Sequence, residues 1–224
     1  MSMMPLRRLE VLNMYLSRVQ LATENRQKIH NLTHLGAYHD WVERSFPQEI
    51  EQGERKRKLW RIEHLHGKTY LLIVSQEMPD MTAFCRYGVV GTAETKNYDL
   101  LLNRLKNGMR CRFRIVLNPV MAVAAGMGKR GRVVPHITAA HQLEYLKKRT
   151  EKYGFSLQDD EYDIVERDFP VWRKNKERIR LSRVVYEGIL TIKDADLFRD
   201  LLIHGMGKKK AYGFGMMTVI PLEV

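Results

Sequence analysis

Cysteine is scarce. Cys85 and Cys111 are the only two in 224 residues, and they fit no metal-ligand spacing, so both are expected as reduced core residues. No apolar run reaches the roughly 18 residues of a membrane span, and Met1 to Leu16 lacks a long apolar stretch with a small-residue cleavage site. The sequence therefore predicts a cytoplasmic protein without a membrane partner. No set of carboxylates and histidines has convincing ligand spacing, so neither a metal nor a cofactor is expected. Acidic residues are in deficit: 26 Asp and Glu stand against 38 Lys and Arg, a formal net charge of +12. Such an excess favours a polyanionic partner, nucleic acid before a membrane surface. Apolar material is not lacking, and at 44% it suffices for one large core or two small ones.

Residues 1–13 read as an extension. Met14 to Leu21 alternates Tyr15, Ser17 and Val19 with Leu16, Arg18 and Gln20, a strand pattern. His34 to Phe46 carries Leu35, Tyr38, Val42 and Phe46 at helical spacing and stops at Pro47. Lys58 to Leu65 and Thr69 to Gln76 read as a hairpin across His66, Gly67 and Lys68. A helix over Tyr98 to Lys106, capped by Gly108, precedes a strand from Arg110 to Leu117. The order β-α-β-β-α-β predicts a ferredoxin-like domain over residues 14–120. Residues 121–224 repeat the plan. A polar loop from Gly126 to Arg132 leads to a helix over Ala139 to Tyr153 and to strands near Tyr162 to Trp172 and Arg178 to Ile192. Asp194 then caps a helix burying Leu197, Phe198, Leu201 and Leu202, and Tyr212 to Ile220 is the last strand. The predicted class is α+β, two tandem ferredoxin-like (RRM-like) domains of about 100 residues each.

Positive charge is concentrated in a few segments. Arg110, Arg112 and Arg114 share one strand face, opposite Cys111, Phe113 and Ile115. Trp172 to Arg183 contains Arg173, Lys174, Lys176, Arg178 and Arg180, and the polar loop adds Lys129, Arg130 and Arg132. A solvated surface explains any one of these. Together they favour phosphate contact, since each neutralised phosphate releases a counterion. The sharpest pattern places Lys208, Lys209 and Lys210 between Gly205 and Gly207 on one side and Gly213 and Gly215 on the other. Glycines let a backbone approach a sugar–phosphate chain closely and expose N–H donors. The bland alternative is a helix cap followed by a bulge. RNA is the expected ligand of this surface.

Among eight histidines, His39 falls between Leu35 and Phe46 on the apolar stripe, at about 100° per residue. That position suits a satisfied core histidine or, alternatively, a general base. Lys210 to Phe214 partly imitates the RNP1 signature, which keeps a non-catalytic RRM-like RNA-binding protein as the rival reading. Gly215 and Met217 break the imitation.

Met14 to Leu21, the helix carrying His39 before Phe46 and Pro47, Lys58 to Glu63, Phe113 to Pro119, Arg132 to Pro135 and Val185 to Ile192, followed by the Gly205 to Gly215 pattern, together resemble the CasE family. These are CRISPR-associated endoribonucleases of type I-E systems. The resemblance spans Met14 to Leu222. It implies tandem ferredoxin-like domains that grip a CRISPR repeat hairpin RNA and cut at the 3′ base of its stem without metal. The upstream 2′-hydroxyl would attack the phosphate, leaving a 5′-hydroxyl and a 2′,3′-cyclic phosphate. It also implies association with other Cascade subunits. His39 matches the family's helix histidine, a general acid–base catalyst. Relatives often carry a tyrosine three residues earlier, where Gly36 stands here; Tyr38 is the nearest tyrosine and the candidate second group.

Overall fold

The computed structural model describes residues 13–124, 126, 131–174 and 177–222. The first half runs β1 (Tyr15–Gln20), α1 (Arg26–Ile29), α2 (Leu35–Arg44), α3 (Pro47–Glu51), β2 (Leu59–Leu65) and β3 (Lys68–Ser75). It ends with α4 (Met81–Phe84), β4 (Glu94–Asn97) and α5 (Asp99–Leu102). The strands pair as β2-β3-β1-β4, every neighbour antiparallel. The second half runs β5 (Arg110–Leu117), β6 (Val120–Val123), β7 (Arg132–Pro135), α6 (Ala139–Lys147), β8 (Phe155–Asp168), β9 (Val171–Lys174) and β10 (Glu177–Arg180). It closes with β11 (Arg183–Ile192), α7 (Ala195–His204) and β12 (Met217–Pro221). Its main sheet is β12-β5-β11-β8, also antiparallel, with β6–β7 and β9–β10 as separate hairpins. Each four-stranded sheet follows the ferredoxin-like order, so the α+β tandem plan holds.

The domain boundary expected at residue 120 is corrected by this pairing. Arg110–Leu117 opens the second sheet, between β11 and β12, instead of closing the first. Alternation identifies a strand and its two faces but carries no information about its partner. The first domain ends on Glu94–Asn97, a short polar edge strand, after the single helical turn Met81–Phe84. Of the expected helix Tyr98 to Lys106, one turn forms. The helix expected to reach Tyr153 stops at Lys147, and the last strand begins at Met217, with Tyr212 in a 3-10 turn. Leu197 is 43% exposed rather than buried.

Helix α2 lays Trp41 and Val42 over Val19, Trp60, Leu71 and Ile73 of the first sheet. A larger core joins the two halves, where Met14, Leu59 and Val74 meet Phe113, Ile115, Met206 and Met216. In this seam the buried Arg61 guanidinium donates to Arg114 O at 3.0 Å, Met216 O at 3.1 Å and Thr218 Oγ1 at 2.8 Å. Glu63 Oε2 accepts from it at 2.5 Å. Because the acceptors lie on β5 and on the approach to and start of β12, one side chain of β2 fixes the register between the domains. Among the described residues no helix is long and apolar enough to cross a membrane.

Candidate active site and nucleic-acid interface

His34 starts α2: its Nδ1 accepts from Ala37 N–H at 3.2 Å, a side-chain N-cap. Burial and the nearby Arg173 charge push its imidazole below the ordinary histidine range, which keeps that lone pair free to cap. The capping ring lies beside Gly36, where a Cβ would sit 3.0 Å from it.

One turn further on, Tyr38 and His39 diverge. Tyr38 points into the first core, its ring 6.1 Å from that of Trp60 and 6.5 Å from that of Trp41, and burial pushes its phenol up. His39 faces the turn between α7 and β12, its ring meeting that of Tyr212 at 5.6 Å in an edge arrangement. The His39 Nδ1 is buried without a hydrogen-bond partner, and the residue lines a cleft in front of the helix.

That cleft has a volume of about 300 Å³ and is lined by His39, Glu43, Arg55, Lys56, Arg57, Lys58, Lys210 and Ala211. Lys58 is neutralised by Glu49 at 2.6 Å and Glu43 at 3.7 Å, and Lys56 by Glu77 at 2.5 Å. Arg55, Arg57 and Lys210 form no ion pair among the described residues, so the cleft is net basic. Burial, followed by the charges of Arg57 and Lys152, holds the Lys210 ammonium below the ordinary lysine range. In the sequence the basic run Arg55 to Lys58 carried no assigned role, and Tyr212 figured only in the last strand and the RNP1-like segment, not beside His39. Four consecutive cationic residues were the available signal for the run; Tyr212 gave none, because its approach to His39 is non-local.

The glycine-flanked turn is shaped by protein packing. Met206 N–H donates to Gly215 O at 3.1 Å and Gly215 N–H to Val116 O at 2.7 Å. A Cβ on Gly215 would lie 2.3 Å from Met206 O, and one on Gly213 would lie 2.9 Å from the Trp60 ring. Gly205 ends α7 with φ 66°, and Gly207 follows with φ 80°. The lysines do the presenting. Lys208 is exposed. Lys209 adopts φ 66°, a left-handed conformation costing on the order of 1 kcal/mol for a side-chain-bearing residue. Its Nζ lies 3.5 Å from the Trp172 ring centroid, a cation–π contact that offsets the strain. The segment resembling RNP1 is this turn, not a strand, and its Phe214 is buried, so it offers no stacking platform of that type.

The hairpin β9–β10 packs Trp172 and Ile179 against Leu181, Val185 and Phe214 and leaves Arg173, Arg178 and Arg180 exposed. Arg173 lies directly across from Arg178, a like-charge pairing that is unfavourable unless an anion lies nearby. Lys174 closes β9 opposite Glu177, and Arg132 is exposed on β7. Lys129, Arg130 and Lys176 lie outside the described residues. The arginine stripe on β5 is largely matched by acids. Arg110 pairs with Glu161, and Arg114 pairs with Glu187, with Glu63 at 2.8 Å and with Glu166 at 2.9 Å. Arg112 lines a depression with Asp159, Asp160, Glu161, Asp163 and Glu187. These carboxylates come from β2, β8 and β11 and the stripe alone could not reveal them.

Comparison with known proteins agrees with this architecture. The CRISPR-associated endoribonuclease Cse3 of Thermus thermophilus is 28% identical over 220 residues, covering 93% of this chain and 100% of that protein. The CRISPR system Cascade subunit CasE of Escherichia coli is 28% identical with the same coverage. The structure of Thermus thermophilus Cse3 bound to an RNA representing a pre-cleavage complex is similar with a TM-score of 0.77 at 26% identity. It covers 93% of this chain and 100% of that one. With the family's sequence profile matching residues 14–221, the chain belongs to the CRISPR associated protein family and within it resembles the CasE and Cse3 proteins along nearly its whole length.

Proposed function

We propose that this protein is an endoribonuclease that binds CRISPR repeat hairpin RNA and cuts it at the 3′ base of the stem to give mature crRNA. The observation carrying the proposal is the placement of His39 in the lining of a net basic cleft, its ring against Tyr212 and beside Lys210 and Ala211 of the lysine turn. A non-catalytic RNA-binding module has no need of an imidazole there. The relatives' names, endoribonuclease and Cascade subunit, support RNA cleavage and association with Cascade; we infer that the protein then stays on its product there.

The reaction needs two proton transfers and no metal. His39 Nε2 takes the proton of the 2′-hydroxyl upstream of the scissile phosphate as that oxygen bonds to phosphorus. The bond from phosphorus to the 5′-oxygen breaks, and that oxygen receives a proton from Lys210, whose acidity burial has raised. The products are a 2′,3′-cyclic phosphate and a 5′-hydroxyl. Arg55 and Arg57 stabilise the charge building on the phosphorane oxygens, while Lys208, Lys209, Arg132, Arg173, Arg178 and Arg180 hold the backbone. Arg110 and Arg114, committed to carboxylates, contribute less.

The test is a repeat hairpin with a single 2′-deoxy nucleotide upstream of the scissile phosphate, incubated in EDTA beside the all-ribose RNA. The ribose substrate should be cut to a cyclic phosphate end and the deoxy substrate should survive. Cleavage of the deoxy RNA, or dependence on added metal, would contradict the mechanism.

A further inference from the structure

A second cleft, of about 380 Å³, opens beside the lysine turn. Lys208 lines it, two residues along the chain from the Lys210 of the His39 cleft, so one turn forms part of the wall of both. Facing Lys208 are His136, just beyond β7, His141 on α6, and Lys148 and Arg149 at the end of α6. The one carboxylate in the lining, Glu144, is held by Lys148 at 2.8 Å.

The cationic groups are positioned by packing. Arg149 Cζ lies 3.4 Å from the Tyr145 ring centroid while its Nη1 donates to Tyr145 O at 2.6 Å. The guanidinium is thus fixed on an aromatic face with no acid partner. The His136 and His141 rings are 6.0 Å apart. The His136 backbone is tied at both ends: its N–H donates to Pro119 O at 3.0 Å, and its carbonyl accepts from Gln142 Nε2 at 2.7 Å. None of His136, His141, Arg149 and Lys208 is ion-paired among the described residues. Burial, then the charges of His141 and Arg149, hold His136 below the ordinary histidine range, with Glu144 acting in the opposite direction. Converging like charges are unfavourable until an anion enters between them.

We propose that this cleft binds a second RNA phosphate, separate from the scissile one, and that its hold on the RNA strengthens as His136 and His141 take up protons. The proposal rests on the RNA reading above and adds to it a pH-dependent grip. The sign follows from linkage: a bound phosphate favours the protonated imidazole over the neutral one, so binding tightens as pH falls.

Binding of a repeat hairpin RNA is measured with His39→Ala protein, which removes cleavage from the readout, at about pH 8 and about pH 5.5 and fixed ionic strength. Affinity should rise by about tenfold on acidification, the worth of one charge-assisted contact. The double variant His136→Gln/His141→Gln should lose that rise. Lys208→Ala, on an exposed turn outside α6, should lower affinity at both pH values. A pH-independent affinity, or a rise that survives in the double variant, overturns the proposal. In a second arm inorganic phosphate is titrated at about pH 5.5 while the imidazole NMR signals are followed; His136 and His141 should shift, and hairpin RNA should displace the phosphate. Phosphate shifts that RNA does not compete away assign the site to free phosphate and also overturn it. If the wild type fails to cleave while binding stays pH-dependent, the nuclease mechanism falls and this site stands.

Discussion

Arg61→Met tests what holds the two domains in register. The native guanidinium is 2% exposed and makes four hydrogen bonds, three to groups on the second domain and one to Glu63. Methionine fills much of the same volume, so the cavity contribution is small. The loss comes from leaving Arg114 O and Met216 O without this donor and from removing one partner of a buried ion pair, for which about 3–5 kcal/mol is typical. Glu63 keeps Arg114 at 2.8 Å, which places the effect toward the lower end. For a chain of this size each kcal/mol moves Tm by about 2–4 °C, so a drop of about 6–12 °C is expected. Thermal melts of wild type, Arg61→Met and Arg61→Lys measure it. Lysine should rescue little, because an ammonium cannot fork to acceptors on two strands. A loss under about 1 kcal/mol for Arg61→Met would refute the reasoning, since it would mean that the network contributes no more than an exposed pair.

Gly215→Ala should destabilise the turn strongly, by about 2 kcal/mol or more, because its Cβ meets Met206 O at 2.3 Å with φ at 85°; urea titration measures it, and wild-type stability would contradict the interlock. The His34 cap should fail in acid: its lowered pKa means that its stabilising contribution is present above the unfolded histidine value near 6.5 and is lost as pH falls through the folded value. Amide exchange at Ala37, compared at neutral and mildly acidic pH, should show fraying of the first turn of α2. Changing Lys208, Lys209 and Lys210 together to alanine should weaken hairpin RNA binding and flatten its salt dependence by up to about two to three phosphate contacts; unchanged affinity at moderate salt would remove the turn from the interface.

Much of the fold was legible because it is local. The stop of α2 before Pro47, the hairpin across His66 to Lys68, and Asp194 and Gly205 as the caps of α7 follow from residue chemistry at single positions. The domain boundary was not legible, since Arg110–Leu117 looks the same whichever sheet receives it. Glu94–Asn97 was invisible for the opposite reason: a polar edge strand carries no apolar alternation. At the site, His39 stood out by its position on the apolar stripe, and the lysines by their glycine frame. Tyr212, Arg55 and Arg57 join His39 only through tertiary packing, and Tyr38 looked adjacent in sequence while the helix turns it into the core. The glycines themselves had two readings, and close protein packing accounts for the spacing at Gly213 and Gly215 without a ligand.

The most direct test is single-turnover cleavage of a saturating-bound repeat hairpin RNA in EDTA by wild type and His39→Ala. The account predicts that the variant binds the RNA as the wild type does but cuts it about 10²- to 10⁴-fold more slowly, the usual worth of one general acid–base group. A variant that cuts at the wild-type rate would contradict the assignment of the chemistry to His39.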